Sequence, residues 1–185
     1  MKEIYLDTNV LLSPFHAGDP FAAQCLQILR TKRIAKVTSP LTFVELCAVI
    51  SKLRHEGVLV LERQIEDRLS KLKPSGQVYA LATFFLSFGS VKIAGMDTVV
   101  ETSFDGFSVT TLLEFMEACS VAPSTLLRSL DNIHLAAVNI MVRQGRTIES
   151  FVTCDRGILE RGEELKKVID VPVVSPAGLV ESLHV

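Results

Sequence analysis

Short apolar runs alternate with longer stretches whose apolar residues recur at helical spacing, and this continues for most of the chain. Ile4, Tyr5 and Leu6 form the first run, which stops at Asp7; Asp19-Pro20 then opens an amphipathic helix predicted to reach about Arg30. A second strand is predicted from Val37. Ser39-Pro40 follows, an N-capping residue with proline at the first helical position, so a helix is predicted to about His55 with Gly57 as its stop. A charged amphipathic helix is predicted over 61–73, a more apolar one over 78–88, and a further strand within 90–100. Helical spacing returns over 110–119 and 123–142, with Gly145 as a stop. Residues 151–153 and 171–174 read as two more strands, the latter despite Pro172, and a short helix is predicted beyond Pro176.

This alternation predicts an α/β sandwich built on a mainly parallel sheet. In such sheets ligands bind beyond the carboxyl ends of the strands. The 185 residues suffice for one well-packed domain, and no repeat or linker-like segment divides them. Residues 74–91 carry no charge, but their apolar centre, 78–88, is much shorter than the roughly twenty residues that cross a bilayer. A buried helix is expected there, and no membrane. Met1-Lys2-Glu3 leads into a strand-like segment rather than a signal peptide, so a cytoplasmic address is expected.

A formal net charge of -2 gives no overall positive field of the kind that holds nucleic acid non-specifically. Any such contact must be local. Arg30, Lys32, Arg33 and Lys36 form one basic cluster and Arg63, Arg68, Lys71 and Lys73 another, both read as solvated helix faces, with Arg30, Lys32 and Arg33 as candidate backbone contacts. Cys25, Cys47, Cys119 and Cys154 form no CxxC pair and lie mostly in apolar runs, which predicts reduced core cysteines.

Candidate chemistry comes from acids that stand alone among apolar residues, since most carboxylates lie among other charges on a wet face. Asp7 ends the first strand and Asp155 directly follows the apolar run 151–154. An Asx-turn or a helix N-cap is the alternative reading of each. Glu45 is the only formally charged residue between Lys36 and Lys52, in a helix with almost no polar face. Burying its carboxylate costs several kcal/mol unless a cation pairs with it, and a basic partner would have to come from far away in sequence. Asp131 is the only acid between Glu117 and Glu149, at the head of an apolar helical pattern, where it too would serve as an N-cap.

Two strand ends and two helix positions can converge at one mouth of a parallel sheet. Four carboxylates gathered there repel one another and raise some of their pKa values, a penalty that a divalent cation removes. An all-oxygen set with retained water suits Mg²⁺ or Mn²⁺ better than zinc. His134, one helical turn after Asp131, is read as a packed or surface histidine rather than as a fifth ligand or proton carrier. Asn9 and Thr153, each two residues from a candidate ligand, are read as hydrogen-bonding supports.

The strings EIYLDTNVLL, SPLTFVELCAVI, LDNIHLAAVNI and FVTCDRGIL, in that order, resemble the motifs of the PIN-domain family. The resemblance covers roughly 3–54 and 130–174. It implies a three-layer α/β/α fold, an Mg²⁺ or Mn²⁺ site formed by Asp7, Glu45, Asp131 and Asp155 with Asn9 and Thr153 in support, and hydrolysis of phosphodiester bonds, usually of RNA, by a metal-activated water. It also implies 5′-phosphate and 3′-hydroxyl products and a homodimer. Many small members are toxins paired with a small antitoxin protein, and others process ribosomal RNA. Within a single domain over 1–185, the segment 74–120 reads as a family-specific elaboration.

Two other functions remain in view. A PIN-like scaffold would bind RNA or a protein without cutting. Asp7-Thr8-Asn9-Val10 also resembles the opening motif of haloacid-dehalogenase-type phosphatases, with Asn9 where their second Asp stands, which implies phosphomonoester hydrolysis through an aspartyl nucleophile. No G-x-x-x-x-G-K or G-x-G-x-x-G string occurs, so nucleotide-driven chemistry has no support.

Overall fold

The first apolar run forms strand β1 (Glu3–Leu6), whose Ile4 and Leu6 face one way and Tyr5 the other. The two faces feed separate cores in this computed structural model, which describes residues 3–95 and 97–183. Met1, Lys2, Met96, His184 and Val185, which include the expected strand-like start and one position of the strand expected within 90–100, lie outside the described residues.

Helix α1 (Thr8–Leu12) follows Asp7 at once, and a 3-10 turn over Ser13–Phe15 leads to α2 (Ala22–Arg30). Strand β2 (Ala35–Thr38) then enters α3 (Pro40–Glu56), which Gly57 closes in the left-handed conformation at φ 71°. Helix α4 (Arg63–Leu69) is shorter than its charge pattern predicts, and α5 (Pro74–Phe88) starts earlier, at Pro74 in the first turn. Beyond β3 (Val91–Ile93) comes a hairpin, β4 (Val99–Phe104) and β5 (Phe107–Leu112), followed by α6 (Leu113–Thr125) and α7 (Ser129–Arg143). Strand β6 (Ile148–Val152), α8 (Arg156–Glu160), α9 (Gly162–Ile169), β7 (Val173–Val174) and α10 (Pro176–Leu183) complete the described chain.

The sheet has five strands in the order β3-β2-β1-β6-β7, and every pairing is parallel. On one face Ile4, Leu6 and Val152 pack against α1, α2, α3 and α5. On the other, Tyr5, Val37 and Phe151 pack against α7 and α9. This is the predicted three-layer α/β/α sandwich. Strands accrue outward through β2 and β3 and then on the other side through β6 and β7, so the direction of winding reverses between β1 and β6. That reversal opens a crevice at the carboxyl ends of these two strands.

The structure departs from the sequence pattern over 99–128. Residues 110–112 end a strand rather than begin a helix, because Asp105 and Gly106, at φ 48° and 81°, form a tight turn that pairs 99–104 with 107–112. Pro123 does not open a helix but lies inside α6, which runs six residues past the predicted stop at 119, to Thr125, and is closed by Leu126 in the left-handed region. Lys36 also leaves the expected basic cluster. It is buried, and its Nζ donates to the carbonyls of Leu29 at 3.0 Å and Thr31 at 2.6 Å, closing the carboxyl end of α2. Among the described residues no helix is long and apolar enough to cross a membrane.

Candidate metal centre

Strands β1 and β6 both run from their carboxyl ends straight into a helix, and an acid sits at each junction. Asp7 Oδ1 accepts from Thr8 N at 2.7 Å at the start of α1, and Asp155 Oδ1 accepts from Ile158 N at 3.2 Å at the start of α8. Capping and site membership are therefore not alternatives: each acid caps a helix whose start is part of the crevice. Asp131, by contrast, lies in the first turn of α7, whose N-cap position belongs to Arg128.

Two neutral side chains stitch the junctions together. Asp7 Oδ2 accepts from Asn9 Nδ2 at 2.7 Å and from Thr153 Oγ1 at 2.6 Å. Asn9 Oδ1 in turn accepts from Cys154 N at 2.9 Å, and Thr153 Oγ1 from Asp155 N at 3.0 Å. Asn9 and Thr153 thus fix the rotamer of Asp7 and the spacing of the two strand ends together. Cys154 also meets Cys25, Sγ to Sγ at 3.7 Å, both as free thiols, and this contact with burial pushes the Cys154 thiol up.

Asp7, Glu45, Asp131 and Asp155 line one open cavity of about 290 Å³, with Thr8 and Asn9 on its floor and Leu12, Ala48, Val49 and Leu130 as an apolar wall. A neighbouring hollow of about 240 Å³ shares Asp131 and Asp155 and adds Arg128 and Gly157. Helix α3 delivers Glu45 from one face of the sheet and α7 delivers Asp131 from the other. All four acids singled out in the sequence therefore line the crevice. Among the described residues, only Asp7 and Glu45 of the four belong to a cluster of ligand-capable atoms within 4.8 Å of one another; Asp131 and Asp155 stand farther out along the cavity.

Their electrostatics follow from crowding. Burial holds the Asp7 carboxyl above its ordinary range, with the Glu45 charge adding to the rise and the Thr153 hydrogen bond and His134 opposing it. Asp131 is raised by burial and by the charges of Asp7 and Asp155. Glu45 goes the other way. Burial would raise it, but its hydrogen bond to His134, the His134 charge and the Thr8 hydroxyl hold it below the ordinary value.

His134 is the residue that sequence reasoning set aside. It is 2% exposed, its Nε2 lies 2.6 Å from Glu45 Oε2, and its Nδ1 lies 2.7 Å from the Tyr5 hydroxyl. Burial alone would lower its pKa, yet the Tyr5 oxygen and the Glu45 and Asp7 carboxylates hold it well above the ordinary histidine range. Tyr5 lies on β1 two residues before Asp7 and stacks on Phe151, with ring centroids 5.4 Å apart. Thr8, also missed, donates its hydroxyl to the same Glu45 Oε2. The one signal for His134 was a polar ring inside an apolar helical run, which packing alone also explains.

The residues present fit a divalent cation. Four carboxylates share one cavity, two of them are raised in part by their neighbours' charge, and a cation relieves that repulsion. Ligand-capable atoms of Asp7, Glu45 and His134 all lie within 4.8 Å of one another. No curated protein matches the chain. Residues 4–86, which carry Asp7 and Glu45, match the family model described as PIN domain.

Proposed function

With residues 4–86 matching the PIN domain, a family whose members are usually metal-dependent nucleases, we propose that the protein is an endoribonuclease that hydrolyses RNA phosphodiester bonds with Mg²⁺ or Mn²⁺. The observation that carries this reading is the convergence of four isolated acids, from both helical layers and two strand ends, on one cavity. Asp7, Glu45, Asp131 and Asp155 would hold the cation. When bound there, it lowers the pKa of a water and offsets charge on the phosphoryl oxygens.

The protein's own side chains supply the rest. Asn9 and Thr153 hold Asp7 through Oδ2, so that carboxylate needs no rearrangement on binding. Arg128, at the hollow that shares Asp131 and Asp155, suits an adjacent phosphate of the bound strand. The apolar wall of Leu12, Ala48, Val49 and Leu130 accepts a base or ribose and keeps water off one side of the cavity. A single-stranded segment fits such a surface better than a rigid duplex, since its bases can splay and stack. The same reading places the protein in the cytoplasm, as a homodimer that either processes RNA or serves as a toxin restrained by a small antitoxin.

The test is cleavage of end-labelled single-stranded RNA by wild type, Asp7→Ala and Asp155→Ala, with Mg²⁺, Mn²⁺ or excess chelator. Cleavage only by wild type, and only with metal, is the expected result. Cleavage that survives chelator or either substitution overturns the reading. Release of inorganic phosphate from a small ester without RNA cleavage replaces it with phosphomonoester chemistry.

A further inference from the structure

The ring of His134 sits where a metal ligand would, among Asp7 and Glu45, and distance alone admits it as a third ligand. Its hydrogen bonds argue otherwise. Cis ligands at about 2.1 Å from an octahedral cation stand about 3.0 Å apart, whereas His134 Nε2 and Glu45 Oε2 are 2.6 Å apart, a separation that suits a shared proton rather than a shared ion. The other ring nitrogen is taken by the Tyr5 hydroxyl at 2.7 Å, and Tyr5 is fully buried against Phe151. The imidazole is thus clamped from behind, and turning it toward the cavity would break both contacts.

Glu45 is treated asymmetrically. Its Oε2 meets both His134 Nε2 and the Thr8 hydroxyl, while among the described residues Oε1 has no hydrogen-bond donor. We propose that His134 is a positioning residue: anchored by Tyr5, it donates Nε2–H to Glu45 Oε2 and so presents Oε1 as the single oxygen this glutamate offers to the cation. The inference rests on the metal-site reading above. It makes the centre all-oxygen, which favours Mg²⁺ and Mn²⁺, and it excludes the imidazole from the coordination sphere. It also gives Tyr5, buried beneath the site, a role in metal affinity.

The experiment titrates Mn²⁺ alone into wild type, His134→Gln, His134→Leu and Tyr5→Phe, with melting of each protein in chelator alongside. Pulsed electron paramagnetic resonance of the Mn²⁺-loaded, ¹⁵N-histidine-labelled wild type reads the coordination sphere. Imidazole ¹⁵N shifts in metal-free and Mg²⁺-loaded protein read the proton on Nε2. Expected are no nitrogen bound to Mn²⁺, a proton kept on Nε2 in both states, and Mn²⁺ affinity about 10- to 100-fold weaker in His134→Leu. His134→Gln, which keeps a donor, should recover most of that loss, and Tyr5→Phe should fall between. Directly bound histidine nitrogen, or loss of the Nε2 proton on metal binding, overturns the proposal and leaves the metal site standing. Wild-type affinity in His134→Leu, or equal loss in His134→Gln and His134→Leu, also overturns it. If His134→Leu does not fold, the resonance measurements on wild type and the Tyr5→Phe titration decide alone. Failure of wild type to bind Mn²⁺ at millimolar concentration instead removes the metal-site reading beneath it.

Discussion

His134 and Glu45 meet at 2.6 Å although 89 residues separate them, and their hydrogen bond joins helices packed on opposite faces of the sheet. Glu45 enters from α3 and His134 from α7, so the contact bridges both helical layers over the carboxyl end of β1. It explains how an acid persists in the apolar stretch 43–50 of α3. The carboxylate is held by a ring and a hydroxyl on one oxygen and faces the cavity with the rest.

Glu45→Gln separates binding from folding. The amide oxygen still accepts from His134 and Thr8, and Asp7 still faces the ring at 3.8 Å, but the ring loses its nearest counter-charge. Metal-free stability should therefore fall by about 1 to 3 kcal/mol, while RNA cleavage falls to background. Denaturant unfolding in chelator, beside a cleavage assay in Mn²⁺, measures both. A loss of about 3 to 5 kcal/mol with cleavage retained would make the pair a structural bridge instead.

Divalent metal should raise the melting temperature of wild type, because a ligand bound only by the folded state stabilises it, by about 2.7 kcal/mol at a hundred times its dissociation constant. Asp7→Asn should blunt that response. Overlaid melting curves for wild type with and without millimolar Mg²⁺ or Mn²⁺ would remove the site.

Asp7 also sets a pH signature for the metal-free protein. Its folded pKa is raised above the ordinary 3.8, so between that value and its raised pKa the folded state keeps a proton that the unfolded chain has released. Stability from this group is present below the window and lost as pH rises through it. Asp7→Asn cannot lose that proton, and in chelator it should gain on wild type as pH climbs above 3.8 and hold the gain at neutrality. Parallel stability profiles for the two proteins would contradict the assignment.

Lys36 offers a control away from the cavity. Lys36→Met should destabilise the fold by about 1 to 3 kcal/mol, since the carbonyls of Leu29 and Thr31 lose their buried donor. RNA affinity and its salt dependence should not move. A shallower salt slope in the variant would return Lys36 to the nucleic-acid surface.

Much of this was legible in residue order. The strands around Asp7 and Asp155 and the helix carrying Glu45 could be read because short apolar runs with proline and glycine punctuation leave few options. The hairpin was legible too, in Asp105-Gly106 between β-branched runs, but the helical spacing that begins at Leu113 masked it. His134 was harder. An imidazole in an apolar run has the same sequence context whether it packs silently or holds a carboxylate, and only the fold brings Tyr5, 129 residues away, to its other nitrogen. Lys36 shows the reverse case, a basic residue whose neighbours suggest a wet face while the β2 register buries it.

The hydrogen bond from Thr153 to Asp7 spans 146 residues, and β1 can pair fully with β6 only once the chain has been made through Val152. Contacts this distant in sequence close late, since the entropy of a long loop must be overcome before the pairing contributes anything. During synthesis at about 5 to 20 residues per second, the segment holding Asp7 and Glu45 leaves the ribosome several seconds before the one holding Asp131 and Asp155. A chain not yet extended to residue 131 therefore holds two of the four acids and an incomplete cavity lining. The lining of the cavity is complete only once β6 has docked on β1, so under the proposed function the order of translation delays the metal site until the sheet is built.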